Sequence, residues 1–239
     1  RDAGTTSSGF DGGFVAFARC GRVKFPEPTG QNVNMMPFIF GDKDSLPTYL
    51  QYYFPLIERC PYMKDDIGKV GYLTVHESYV DVGKAQRREG LHIESPGTFA
   101  DGENAPSFTP GIEHHWGSGC FYGPDKYDGG IFMASSVADT SEVWDALVDN
   151  RVPGIVDRHG GCEHLRHLIG QGTKLRAGEL VWMTDCTPHE ALPQKESGHR
   201  HFFRVVTPCI SHWYADHSTC NPKVPLPSNV TVVEGNKFV

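Results

Sequence analysis

Glycine and proline set the terms on which this chain can fold. The 239 residues include 27 glycines and 17 prolines, spread along the whole length. Glycine weakens a helix interior through backbone entropy, and proline removes a backbone donor. The chain is thereby cut into many short segments. Between the breaks stand β-branched and aromatic runs: GYLTVH at 71–76, GIFMA at 130–134, ELVWM at 179–183 and HFFRVV at 201–206. Runs of this kind, bounded by Gly, Pro or Asp, read as strands. Three stretches carry helical patterns. Residues 44–59 begin with Asp-Ser and place apolar residues at helical spacing up to Pro55, residues 141–150 begin with a Ser cap, and residues 163–169 stop at Gly170. Short strands, long irregular connections and helices outside them predict a mainly β fold, a sandwich or jelly roll with flanking helices. No repeat or linker divides the chain, so residues 1–239 are expected to form one domain. The Gly/Ser-rich start, residues 1–13, is expected to be flexible.

Charge and cysteine content narrow the setting. The net charge is −7, from 22 basic against 29 acidic residues, and no basic run occurs. A nucleic-acid partner is therefore not expected. No apolar stretch approaches the ~20 residues of a membrane span, so no membrane partner is expected either. The seven cysteines are odd in number, widely spaced and free of any Cys-x-x-Cys. That pattern suits reduced thiols in a cytoplasmic protein rather than a disulfide framework or a structural zinc site. Asn229-Val-Thr231 is formally a glycosylation acceptor, but the polar first residues do not read as a signal peptide and it is not expected to be used.

The chemistry concentrates in two places. In GLHIESPG, residues 90–97, His92 and Glu94 are two apart, and on an extended chain such residues point to one side. About a hundred residues later, in LRAGELVWMTDCTPHEALP, a Gly-led strand and a polar turn deliver His189 just beyond Pro188. Two imidazoles and one carboxylate make a three-point set that leaves three coordination positions open, an arrangement suited to non-haem Fe(II). Taken singly, His92-x-Glu94 is an ordinary surface polar pair. Two arginines downstream of His189 argue otherwise. Arg200 and Arg204 stand eleven and fifteen residues on, in GHRHFFRVVTP, and share one face of the expected strand. A guanidinium is the natural partner of a carboxylate. The plain alternative is an exposed strand face with common salt bridges.

His92-x-Glu94, the distal His189 after a Gly-led strand, and an arginine eleven or fifteen residues later together resemble the Fe(II)/2-oxoglutarate-dependent oxygenases. The likeness covers roughly residues 72–206. It implies a double-stranded β-helix, the jelly roll also built by cupins. It further implies iron held by His92, Glu94 and His189, with 2-oxoglutarate and O2 as cosubstrates. The arginine that binds the far carboxylate of 2-oxoglutarate maps to Arg200 on spacing, with Arg204 as the alternative or as the partner of a substrate carboxylate. Many members carry Asp where this chain has Glu94; an acidic residue there argues against a halogenase. The activity implied is oxidation of an unactivated C–H bond, by hydroxylation, desaturation or ring closure. The small-molecule substrate would bear a carboxylate, as an amino acid does. Two other readings stay open. One is a cupin-like dioxygenase or isomerase that does not use 2-oxoglutarate; the other is a non-enzymatic jelly-roll binding protein.

Further candidates surround this set. In IEHHWGSG, residues 112–119, His114 or His115 could replace His92 or contact substrate, and His115 is carried as a substrate candidate. Within Gln86-Arg87-Arg88, Arg88 is a candidate for an anionic substrate group, against the plainer reading of two surface arginines before a turn. Asp185 could orient His189 or cap its turn. Cys162, His164 and His167 could form a second metal site, but histidines near a helix end are commonly just exposed. His212 and residues 215–222 read as a packed turn. No catalytic group beyond the three metal ligands is indicated.

Overall fold

Alternation along the strands builds the larger of two sheets. The structure is a computed structural model that describes residues 15–95, 115–123, 126–152, 154–157 and 159–234. Its strands are β1 (Phe17–Arg22), β2 (Asn32–Ile39), β3 (Val70–Val80), β4 (Cys120–Gly123), β5 (Lys126–Asp128), β6 (Ile131–Ser135) and β7 (Ser141–Val143). They are followed by β8 (Thr173–Lys174), β9 (Glu179–Met183), β10 (His189–Ala191), β11 (Gly198–Val206), β12 (His212–Tyr214) and β13 (Thr231–Val233). Six of them form an antiparallel sheet in the order β1-β9-β6-β11-β3-β2. Along β11, Phe203 and Val205 join Leu73, Val75, Phe132, Leu180 and Trp182 in one core layer. Phe202 and Val206 join Tyr72, Ile131, Met133, Val181 and Met183 in a second layer on the opposite face. A sheet covered on both faces buries successive residues, which is why these strands read as near-continuous apolar runs. Each such fully buried side chain contributes roughly 1.5–3 kcal/mol through removal from water.

The second sheet is short and carries the candidate site. It has the order β10-β7-β8 and grows by one more extended segment. His92 and His189 exchange both backbone hydrogen bonds, at 3.1 and 2.9 Å. On its other side this segment is held by Ile93 N–H to Gly160 (2.9 Å) and Cys162 N–H to Leu91 (2.9 Å). The two sheets face each other across the second core layer, giving the mainly β, jelly-roll arrangement of a double-stranded β-helix. The pairs β4–β5 and β12–β13 form separate two-stranded sheets, packed on the first and second core layers respectively.

The flanking helices are few and short, which corrects the reading of three stretches. Residues 44–59 form 3-10 turns at Lys43–Ser45 and Thr48–Tyr53 and a single α-turn, α1 (Phe54–Ile57). Pro47 and Pro55 withhold the backbone donors a continuous helix would need. The segment still packs, through Leu46, Leu50, Tyr53 and Ile57, over the outer face of the large sheet. Residues 141–150 begin as β7. Val143 and Trp144 enter opposite core layers, a period of two where the sequence suggested a helix. Residues 163–169 make only a 3-10 turn at Glu163–Leu165, too short for helix propagation to offset nucleation. The expected flexible start lies outside the described residues. Among the described residues, no helix is long and apolar enough to cross a membrane. All seven cysteines are free thiols.

Candidate metal centre

The segment 91–95 sorts its side chains by alternation. Leu91 and Ile93 point into a small apolar cluster with Trp144, Val148, Val156 and Cys162. His92 and Glu94 point the other way, into an open cleft between the two sheets. The hydrogen-bonded pairing with β10 brings His189 alongside, with the two imidazole centroids 4.5 Å apart. The ligand atoms of His92, Glu94 and His189 all lie within 4.8 Å of one another, and they form the sole such grouping among the described residues. The three residues singled out from sequence therefore converge, although they come from segments almost a hundred positions apart.

Backbone carbonyls fix both imidazoles. His92 Nδ1 lies 2.7 Å from the Gly90 carbonyl, and His189 Nδ1 lies 2.9 Å from the Thr187 carbonyl. A carbonyl can only accept, so each Nδ1 carries a proton and each Nε2 is the ring nitrogen turned to the cleft side. His189 Nε2 is 3.6 Å from Glu94 Oε1. Burial, then the neighbouring His189 and Arg88, hold the His92 pKa well below its ordinary value, which keeps this ring neutral. Two imidazoles and a carboxylate are a donor set that fits a divalent transition metal.

The arginines divide in a way the sequence did not specify. Arg204 pairs with Glu94, both almost fully buried, and reaches Asn34 and Thr74 at 3.4 Å. Arg200 is entirely buried behind the cleft wall. It donates from Nε to Ser135 Oγ (3.0 Å) and from Nη2 to Ser141 Oγ (3.1 Å) and the Thr140 carbonyl (3.2 Å). Its Nη1 has no acceptor among the described residues. Ser141 itself lines the cleft, so this donor group sits just behind the wall. Burial, then the charge of Arg87, pulls the Arg200 pKa down to about 10, leaving it cationic at neutral pH.

Other candidates fall into place around this group. Arg88 lines the cleft and donates to the His159 carbonyl at 2.6 Å. Arg87 also lines it, with its guanidinium carbon 5.2 Å from the Phe202 ring centroid; the reading of Gln86-Arg87-Arg88 as plain surface is corrected. His115 does not line the cleft. Its Nδ1 is 3.0 Å from Ser118 Oγ, and the neighbouring Trp116 forms the wall instead. The carboxylate of Asp185 accepts from the Trp116 and Ser118 backbone N–H groups (2.7 and 3.1 Å), so it caps that loop and leaves His189 to Thr187. His164 and His167 are exposed and belong to no metal-ligating group among the described residues. His114 lies outside the described residues. Asn34 was missed altogether. A bulge in β2, with Met35 at φ 47°, turns Asn34 into the cleft, where its Nδ2 donates to the His217 carbonyl at 2.8 Å. Bulges re-aim side chains next to sites in this way, and nothing in the local sequence announces this one.

No protein-family model matches the chain, and no curated protein sequence matches it. Among solved structures, one similar fold is the crystal structure of HygX from Streptomyces hygroscopicus with nickel and 2-oxoglutarate bound. It is 12% identical, the match covers 96% of this chain and 95% of that one, and the TM-score is 0.43.

Proposed function

We propose that this protein is a non-haem Fe(II)/2-oxoglutarate-dependent oxygenase acting on a small carboxylate-bearing molecule. The observation that carries the reading is the convergence of His92, Glu94 and His189 in a cleft, with both histidines held so that Nε2 is turned to the cleft side. Iron bound there would supply oxygen activation, with 2-oxoglutarate as the two-electron reductant that ends as succinate and CO2. The protein's own share is positional. Arg204 holds the Glu94 carboxylate at the site. Arg200 has an unmet Nη1 donor and no acidic partner, which suits the far carboxylate of 2-oxoglutarate, whereas Arg204, with only its Nε unmet, is already paired with Glu94. Met133, Phe202 and Trp116 give the cleft apolar walls that limit water near the reacting atoms.

The test is turnover of 2-oxoglutarate itself. Iron-loaded protein with O2 is expected to convert 2-oxoglutarate slowly to succinate even without its organic substrate. His189→Ala is expected to abolish this, and Arg200→Gln is expected to raise the KM for 2-oxoglutarate at least tenfold. Metal binding without any succinate would favour a cupin-like enzyme that does not use this cosubstrate. No metal binding at all would leave a jelly-roll binding protein.

A further inference from the structure

Arg87 holds neither the metal ligands nor the 2-oxoglutarate carboxylate, yet it lines the same cleft. Its guanidinium lies over the Phe202 ring at 5.2 Å, and Arg200 reaches that ring at 5.8 Å from its own guanidinium carbon. Arg87 makes no hydrogen bond or ion pair to a described residue. The contrast with Arg166 is direct, since that residue is paired with both Glu163 and Glu190.

Among the described residues that line the cleft, the charges do not balance. Arg87, Arg88 and Arg204 line it, and the acidic residues there are Glu94 and Glu190. Glu190 is taken by Arg166, and Glu94 by Arg204. Arg88 at least has the His159 carbonyl. Burial, then the charge of Arg204, lowers the Arg87 pKa to about 10, with Glu94 giving part of it back. Arg87 is half-buried in the cleft wall with no hydrogen-bond or ion-pair partner among the described residues, and its planar fork suits an oxyanion. The face of Phe202 sets the plane of that fork.

We infer that Arg87 receives an oxyanion carried by the organic substrate (a carboxylate, sulfate or phosphate ester), separately from the 2-oxoglutarate carboxylate at Arg200. This rests on the metal-centre reading for its position beside the reacting atoms. The anion site itself stands on the cleft and its uncompensated charge.

The experiment uses the full chain loaded with Mn(II) and 2-oxoglutarate without O2. Acetate, sulfate and phosphate are titrated in turn at ionic strength held constant with NaCl, which removes general screening. Thermal melting and calorimetry are read on wild type, Arg87→Met and Arg200→Gln. At least one oxyanion is expected to raise the wild-type Tm saturably, and their ranking identifies the group. Arg87→Met is expected to weaken that response at least tenfold while 2-oxoglutarate still binds. Arg200→Gln is expected to do the reverse. Ligand-free Arg87→Met is expected to melt at or above wild type, because an unpartnered charge has been removed. Equal responses in wild type and Arg87→Met would overturn the inference, as would no saturable response in wild type. Loss of 2-oxoglutarate binding in Arg87→Met, or a clearly lower ligand-free Tm, would also overturn it. If Mn(II) and 2-oxoglutarate fail to bind but the metal-free protein keeps an Arg87-dependent response, the anion site stands and the oxygenase reading falls.

Discussion

At the scale of single residues, the pair that most shapes the site is Arg204 with Glu94. Both are buried, at 5% and 9% exposure, and each neutralises the other. Removing one partner of a buried pair strands the remaining charge and costs about 3–5 kcal/mol. Arg204→Gln is therefore expected to destabilise the metal-free protein by about that amount. A divalent ion neutralises Glu94 by another route, so metal is expected to restore most of the loss. Urea unfolding with and without metal checks this; a variant as stable as wild type without metal would contradict the pairing. The shared side of His92 and Glu94 was legible in the sequence, because an i, i+2 spacing on an extended segment dictates it. The partners of the arginines were not. Glu94 and Arg204 are 110 residues apart, and the sequence carries no signal that Arg204 turns to Glu94 while Arg200 turns to hydroxyls. Arg87 read as surface because its depth depends on Phe202, which lies on a distant strand.

At the scale of elements, the segment 91–95 that carries His92 and Glu94 is held from both sides, and the glycine beside it has little freedom to change. Gly160 has φ +82°, and a Cβ there would lie 2.3 Å from the Ile93 carbonyl oxygen. Gly160→Ala is expected to displace residues 91–95 and weaken metal binding at least tenfold, while the six-stranded sheet survives. Calorimetric metal titration alongside far-UV circular dichroism checks both halves; unchanged metal affinity would mean the segment is not positioned through Gly160. Strands were the legible elements. Residues 179–183 match β9 end to end, and 71–76 and 201–206 fall within β3 and β11. The helical readings failed for local reasons: Pro47 and Pro55 interrupt one, and β pairing claims Ser141–Val143 from another. The bulge at Met35 was invisible, since its cause is the tertiary contact of Met35 N–H with Thr74 Oγ1 at 3.0 Å.

At the scale of the whole molecule, the sequence conveyed a mainly β jelly roll through its run lengths and breaks. It did not convey the strand order, which depends on pairings between distant segments. Those pairings also create a charge-dependent brace on the outer face. Glu77 accepts from Tyr53 Oη (2.7 Å) and from the backbone N–H groups of Thr29 (2.7 Å) and Gln31 (2.9 Å). Burial pushes its pKa up, but these hydrogen bonds outweigh it and hold the carboxyl below its ordinary 4.5. The folded state thus binds fewer protons here than the unfolded chain. The stabilisation is complete above pH 4.5 and is lost as pH falls through the lower folded value. Glu77→Gln is expected to lower stability at neutral pH and flatten the acid limb of a stability–pH curve. An acid limb as steep as that of wild type would exclude Glu77 as its source.

The central claim is that His92, Glu94 and His189 hold iron to which 2-oxoglutarate binds with Arg200 at its far end. The most direct test is anaerobic titration of the metal-free protein with Fe(II) and 2-oxoglutarate, following the visible charge-transfer absorption of the iron–keto acid chelate. The account predicts a saturable band in wild type, its loss in His92→Ala and a weakened band in Arg200→Gln. Iron that binds without any band, or a band that persists in His92→Ala, would contradict it.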